Sequence, residues 1–306
     1  MSTTTQSSRG NVLAVIGGSG LYAVDELEGR ETIEVDTPFG RPSEAITRGR
    51  LRNTSGDTSS DKTGDTTLLF LPRHGRGHAT GPSDINYRAN ICALKMLGAT
   101  HLVSVSAVGS MKEEIAPGHF VVVDQFIDLT RRRVSTFFDP GLVAHVGFAD
   151  PVCADLSEAL ATAATGSGVR VHRGGTYVCI EGPQFSTRAE SMLYRSWGVS
   201  VIGMTAMPEA KLAREAELPY ALLALATDYD CWHESEEDVT VEAVLATMRE
   251  NVKHARAAVG LLARSLPDPS KSPATTALRA ALLTAPDAIS PATRTKLDWL
   301  VGPYLH

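Results

Sequence analysis

The sequence is short of several things, and each shortage closes off a class of function. Its four cysteines, Cys92, Cys153, Cys179 and Cys231, form no C-x-x-C pair. That argues against a cysteine zinc site or a dithiol redox motif. Cys92 and Cys179 sit in apolar runs and are expected as reduced core residues. No apolar run reaches the roughly 18 residues a bilayer span needs. The opening stretch MSTTTQSSRG is polar and holds no apolar h-region, so no signal peptide is expected and the cytoplasm is the default location. Basic excess is missing too: the net charge is -6, which argues against a general nucleic-acid binder. The one dense basic spot, Arg131-Arg132-Arg133, reads as a solvated strand end or a subunit contact. There is no G-x-G-x-x-G, no P-loop G-K-[ST] and no G-x-S-x-G, which disfavours a Rossmann dinucleotide site and the commonest phosphate and acyl-transfer signatures.

What is present is ordinary in bulk and ordered in pattern. The 306 residues are 43% hydrophobic and 21% charged, enough for a sizeable core. Apolar runs over 12–16, 67–71, 102–106, 120–123, 176–180, 199–204 and 221–226 read as strands, several apolar on both faces as in a covered sheet. Helical spacing marks 86–97, 154–164, 188–197, 208–217 and a long helix from 241 to 266, with Thr240 as its N-cap. The alternation predicts an α/β fold with a mixed central sheet flanked by helices. The polar stretch 53–67 reads as a hairpin insertion. A main domain over 1–266 is expected, with 267–306 as a helical appendage packed on it, made of short amphipathic helices at ALRAALLTA and SPATRTKLDWLV.

Four strand ends carry anion-binding chemistry. AVIGGSGLY runs a strand into a glycine turn with the hydroxyl of Ser19. LFLPRHGRGH delivers Arg73 and His74 into a second glycine turn. Arginine offers a fork that matches phosphate, and histidine adds a donor. His78 reads there as structural or peripheral. SVSAVGSM places Ser106 and Ala107 at a strand's C-terminal end, where ligands of open α/β sheets gather. GMTAMPEA places Thr205 likewise. Together they make a case for an anion site. LALATDYDCWHES ends a buried strand in Asp228 and Asp230. Carboxylates there are costly unless needed: either they cap the loop or they serve a ligand.

These stretches, with DTPFGRPS, NYRANICALK, GSMKEEIAPG, VVVDQFID and IEGPQFSTRAES, resemble the purine nucleoside phosphorylase superfamily. Within it they are most similar to the trimeric S-methyl-5′-thioadenosine phosphorylase family. The resemblance runs from about Val12 to Leu262. It implies a purine nucleoside phosphorylase-like fold and phosphorolysis of S-methyl-5′-thioadenosine to adenine and 5-methylthioribose-1-phosphate. Phosphorolysis of adenosine or of a 6-oxopurine nucleoside is the alternative.

The family's phosphate pattern falls on Ser19, Arg73, His74, Ser106, Ala107 and Thr205. Met204 falls where the family packs against ribose, and Phe185 where it stacks near the base. Asp228 matches the family's general acid at purine N7, with Asp230 orienting it. Relatives that use 6-oxopurines carry Glu and Asn where this chain has Ser186 and Asp228, which implies a 6-aminopurine. Val241, Val244 and Leu245 match an apolar pocket for the 5′-alkylthio group. His145 matches a residue the family donates from an adjacent subunit, which implies a homotrimer. No metal and no cofactor are implied beyond phosphate as co-substrate, and no nucleic acid or membrane partner.

Overall fold

A computed structural model of the chain describes residues 10–18, 21, 27–52, 65–233 and 241–305, and of 241–245 the backbone alone. Its elements in chain order are β1 Val12–Gly17, β2 Glu28–Ile33, β3 Ile46–Leu51, β4 Thr66–Pro72, α1 Tyr87–Met96, β5 His101–Ser110, β6 Phe120–Val122, β7 Gln125–Asp128, α2 Ala154–Gly166, β8 Val171–Arg173, β9 Thr176–Cys179, α3 Arg188–Ser196, β10 Val201–Gly203, α4 Ala206–Glu215, β11 Tyr220–Asp228, α5 Val241–Ala263 and α6 Pro291–Val301. The strands join into one mixed sheet in the order β2-β3-β4-β1-β5-β10-β9-β7. β11 pairs with both β5 and β6, and β6 also with β8. The α/β expectation holds.

Strand alternation divides the core. On β1, Ala14 and Ile16 face a cluster with α1, α4 and α6 residues such as Ile91, Ala210 and Leu297. Leu13 and Val15 face the other side, with Leu156 and Leu160 of α2 and Val259 and Leu262 of α5. Both faces are covered by helices, which is why β1, β5 and β11 read as continuous apolar runs. Among the described residues no helix is long and apolar enough to cross a membrane.

β5 is the element that makes the site. One edge pairs in parallel with β11 from Leu102 to Gly109. The other edge pairs with β1 only as far as Ser104, and then antiparallel with β10 from Gly109 to Ser110. Residues 105–108 lie in the fork between these two partners, at the C-terminal ends of β1, β4 and β11. The sequence reading stops this strand at Ser106; it continues four residues because β10 and β11 still pair with it.

Other expectations are corrected. β2, β3, β7 and β8 are strands that the apolar runs do not mark: β2 is exposed along most of its length and reads EGRETI, which carries no apolar alternation. The stretch ALRAALLTA is not a helix. Residues 277–281 form successive turns instead, with Leu278 N–H on Glu217 Oε1 at 2.9 Å, and the end of the stretch is tied by a bridge between Ala144 and Leu282 and by Leu283 N–H on Val143 O at 2.9 Å. SPATRTKLDWLV does form α6, capped by Ser290. Regular turns of α4 begin after Met207, which is extended at φ -115 and ψ 134, so Pro208 opens them as a first-turn proline should. Arg133 is not solvated: its side chain is 1% exposed and pairs with Glu181. Thr240 and residues 53–64 lie outside the described residues.

Candidate active site

The fork opens into a cavity of about 450 Å³. Val105, Ser106, Ala107 and Val108, the β5 residues left between β1 and β10, form part of its wall. Arg73, one residue past β4, is 2% exposed. The sequence reading gives its fork to phosphate. In the structure, Nε donates to Glu209 Oε2 at 2.9 Å and Nη2 donates to Ser104 Oγ at 2.7 Å. Nη1 makes only a long contact, 3.4 Å to Val105 O, and is the donor left for an anion. Burial opposes the charge, but Glu209 beside it more than offsets this and raises the guanidinium above its usual range.

His74 Nδ1 lies 2.9 Å from Thr80 O. A carbonyl only accepts, so that nitrogen carries a proton. Burial, with Arg73 alongside, lowers His74 to about 4, so the ring is neutral at pH 7. Nε2 is then an acceptor, and a bound dianion favours a second proton there. His78 stacks on His74 with centroids 4.0 Å apart and lines the cavity. It adjoins the site and supports His74, which fits the structural rather than the peripheral of the two roles expected for it. The signal was the glycine spacing: Gly75 and Gly77 both take positive φ, as does His78, and this turn folds His78 back on His74.

Ser106 Oγ stands 3.2 Å from Thr205 Oγ1, and Tyr177 OH lies 3.5 Å from Ser106 Oγ. Two hydroxyls from β5 and the start of α4 thus converge, with a buried tyrosine behind them. Gly18 lines the same cavity; Ser19 lies outside the described residues.

Asp228 ends β11 beside Gly109, after a register shift at Ala226. Its Oδ2 accepts from Thr227 Oγ1 at 2.6 Å and its Oδ1 from Asp230 N–H at 2.9 Å. Burial raises its carboxyl above the ordinary aspartate value, against these bonds. Asp230 is raised too, by burial and by the Asp228 charge, although Ser191 opposes the shift. Ser191 Oγ donates to Asp230 Oδ2 at 2.6 Å. Both aspartates line the cavity, so the reading of them as loop caps alone is not sufficient.

Phe185 and Ser186 line the cavity as well. Phe185 is 72% exposed, and the buried Ser186 hydroxyl has no hydrogen-bond partner. Met204 reaches the wall with its sulfur close against Gly182. Met248 of α5 lines it too. The side chains of Val241, Val244 and Leu245, on the same helix, lie outside the described residues. His145 is exposed and is not part of this cavity's wall. Glu209, which holds Arg73, and Tyr177 were not singled out from the sequence, since each acts across more than seventy residues of chain.

A family model described as the phosphorylase superfamily matches residues 12–264. The chain belongs to the phosphorylase superfamily. It is 54% identical to the S-methyl-5′-thioadenosine phosphorylase of Geobacter sulfurreducens, over 96% of this chain and 99% of that one. A methylthioadenosine phosphorylase from an antarctic soil metagenomic library has a crystal structure of TM-score 0.86 and 46% identity, covering 95% of this chain and 99% of that chain. A mutant adenosine/methylthioadenosine phosphorylase of Schistosoma mansoni, solved with adenine, gives TM-score 0.76 and 38% identity over 85% of this chain and 94% of that one. In this member of the superfamily the described hydroxyls, guanidinium and carboxyls share one cavity. Among the described residues no group of three His, Cys, Asp or Glu side chains is placed to hold a metal ion.

Proposed function

We propose that this cavity cleaves the N-glycosidic bond of S-methyl-5′-thioadenosine with inorganic phosphate, releasing adenine and 5-methylthioribose-1-phosphate. One observation carries the reading: an anion pole and a carboxyl pole stand on adjacent strands of one cavity. Ser106 and Gly109 are three residues apart on β5, roughly 10 Å along a strand, and Asp228 stands beside Gly109. That leaves room for a ribose between an anion and a base. Arg73, Ser106 and Thr205 hold phosphate, with His74 beside them, and Ser19 belongs to the same pole. Bond cleavage leaves a cationic sugar and an electron-rich purine. Phosphate stabilises the first and attacks C1′. Asp228, whose carboxyl burial shifts toward its protonated form, donates at N7 as the base departs, and Asp230 orients it. Ser186 and Phe185 face the base, and Met204 faces the ribose.

Val241, Val244 and Leu245 supply the apolar 5′ pocket, beside Met248. His145 completes it from a neighbouring copy in a cytoplasmic homotrimer. Support for that assembly comes from the exposed position of His145 and from exposed apolar side chains near it, Val143 at 48% and Leu283 at 61%. Adenosine is the second substrate to consider, because the Schistosoma relative is named for both nucleosides. Base release with and without phosphate, adenine from methylthioadenosine and adenosine and hypoxanthine from inosine, tests the reading. Fast phosphate-dependent release from the methylthio substrate is expected. Preference for inosine would overturn the role of Asp228, and equal use of adenosine would overturn the apolar 5′ pocket.

A further inference from the structure

Arg133 follows β7 and does not line the cavity, yet it is tied to Met204 of the cavity wall and to two segments that adjoin the wall. Its Nη1 donates to Met204 O and to Met207 O, both at 2.6 Å. Its Nη2 donates to Glu181 O at 2.7 Å. Nε lies 3.3 Å from Glu181 Oε1 and 3.4 Å from Ser83 Oγ. The partners close the ring. Ser83 Oγ donates to the Glu181 carboxylate, whose Oε2 also accepts the backbone N–H groups of Arg131 at 2.5 Å and Arg132 at 3.2 Å. Burial opposes the Glu181 charge, but Ser83, these amides and Arg133 hold its carboxyl down to about 2.

The three anchor points each adjoin wall residues. Ser83 follows Gly81 and Pro82. Glu181 precedes Pro183, Phe185 and Ser186. Met204 is itself wall and precedes Thr205. Gly182, at φ +65, lies so close to Met204 that a Cβ there would stand 2.5 Å from its sulfur. Arg133 therefore fastens the carbonyls on both sides of that contact. Arg73 and Ser106 are held otherwise, by Glu209 and by the β5 pairings, and no hydrogen bond joins Arg133 to them; of the phosphate pole only Thr205 lies between carbonyls that Arg133 anchors.

We infer that Arg133 is a positioning residue for the nucleoside half of the site, setting Met204 against the ribose and the 181–186 segment against the base. This rests on the proposed phosphorolysis. Arginine suits the role because its planar fork reaches several carbonyls at once; lysine is a single point donor.

The test is steady-state kinetics of Arg133→Lys and Arg133→Met, varying nucleoside and phosphate separately, with Tm and calorimetric adenine binding. Losing a buried anchor behind a wall displaces it, so Arg133→Met should raise the nucleoside KM about tenfold. Arg133→Lys should raise it less, and the phosphate KM should rise less than the nucleoside KM in both, because of the phosphate pole only Thr205 adjoins the anchored carbonyls. An equal rise in both KM values, or unchanged KM values with kcat falling only as the folded fraction falls, overturns the assignment. If Arg133→Met does not fold, Arg133→Lys carries the same comparison. Wild-type protein without phosphate-dependent adenine release would sink the functional reading instead. Adenine affinity unchanged in Arg133→Lys would then overturn the positioning role by itself.

Discussion

Burial pushes individual carboxyls toward their neutral form here, and the donors around each decide whether it prevails. Glu181 is caught by donors and kept ionised, whereas Asp228 is pushed toward its neutral form. A neutral Asp228 can give a proton to a leaving purine; an amide in its place cannot. Asp228→Asn should therefore lower kcat by about 10² to 10⁴, the usual size of a general-acid contribution, with little change in phosphate KM. The wild-type kcat should fall as pH rises through the raised Asp228 pKa, and the variant's profile should lack that limb. Glu215 makes a separate prediction about stability. It is buried, and burial pushes its carboxyl from 4.5 up to about 7 despite bonds from Phe137 N–H and the Thr136 hydroxyl. The folded state then binds more protons than the unfolded state between these two values. Stability is thus highest below pH 4.5 for this group and is lost as pH rises toward 7, by up to about 3 kcal/mol. Glu215→Gln should gain Tm relative to wild type between pH 5 and pH 8. A difference that stays constant across that range would refute the assignment. Much of the site was legible at this scale, because Arg73, Ser106, Thr205 and Asp228 each end or flank an apolar run. Glu209, His78 and Arg133 were not. Each looks like an ordinary surface residue until a partner distant in sequence, or a glycine turn, brings it inward.

Elements set the distance between the two poles of the site, and β5 does most of this. Its upper half has β11 on one side and a gap on the other, and the gap is the cavity. Gly109 sits where the gap closes. A Cβ added there would meet Ile202 Cγ2 at 3.0 Å, Asp228 Oδ1 at 3.1 Å and Asp230 Cβ at 3.3 Å. Those are tight contacts against two strands and the proposed acid, so Gly109→Ala should displace Asp228 by a few tenths of an ångström. The expected result is a loss of kcat of about tenfold with a small change in Tm, since positional errors at a reacting group weigh more on rate than on stability. Unchanged kcat would show that the carboxyl tolerates the shift. The same scale explains what the sequence reading of the fold caught and missed. Strands buried on both faces announce themselves as apolar runs, so β1, β4, β5 and β11 were found. β2 is an exposed edge strand whose polar side chains face water, and β3, held between it and β4 by antiparallel ladders, buries Ile46 and Leu51 only at its ends with polar residues and Gly49 between. The 277–285 stretch has helical composition but is broken into turns whose backbone is also tied to Glu217 and residues 143–145, so tertiary bonds outweigh propensity.

At the scale of the molecule, His145 is the residue that a single chain leaves unexplained. Its backbone N–H is fixed to Ala281 O at 2.9 Å, so the segment after α5 holds the loop that carries it. The side chain is exposed, apart from the cavity of its own chain. If a neighbouring copy receives it, two chains that each lack one group of the site should repair one another. Asp228→Asn lacks the acid but keeps His145; His145→Ala keeps the acid but donates nothing to its neighbour's 5′ pocket. In a closed ring of three containing both, one site has an intact Asp228 on its own chain and an intact His145 from the next. Co-expressed chains, purified as mixed trimers through two different tags, should cleave low concentrations of methylthioadenosine faster than either variant alone. The gain should approach a third of wild-type activity if sites act independently. No gain over the His145→Ala parent, in trimers shown by mass to contain both chains, would place His145 outside the neighbour's site and leave the 5′ pocket to α5 alone.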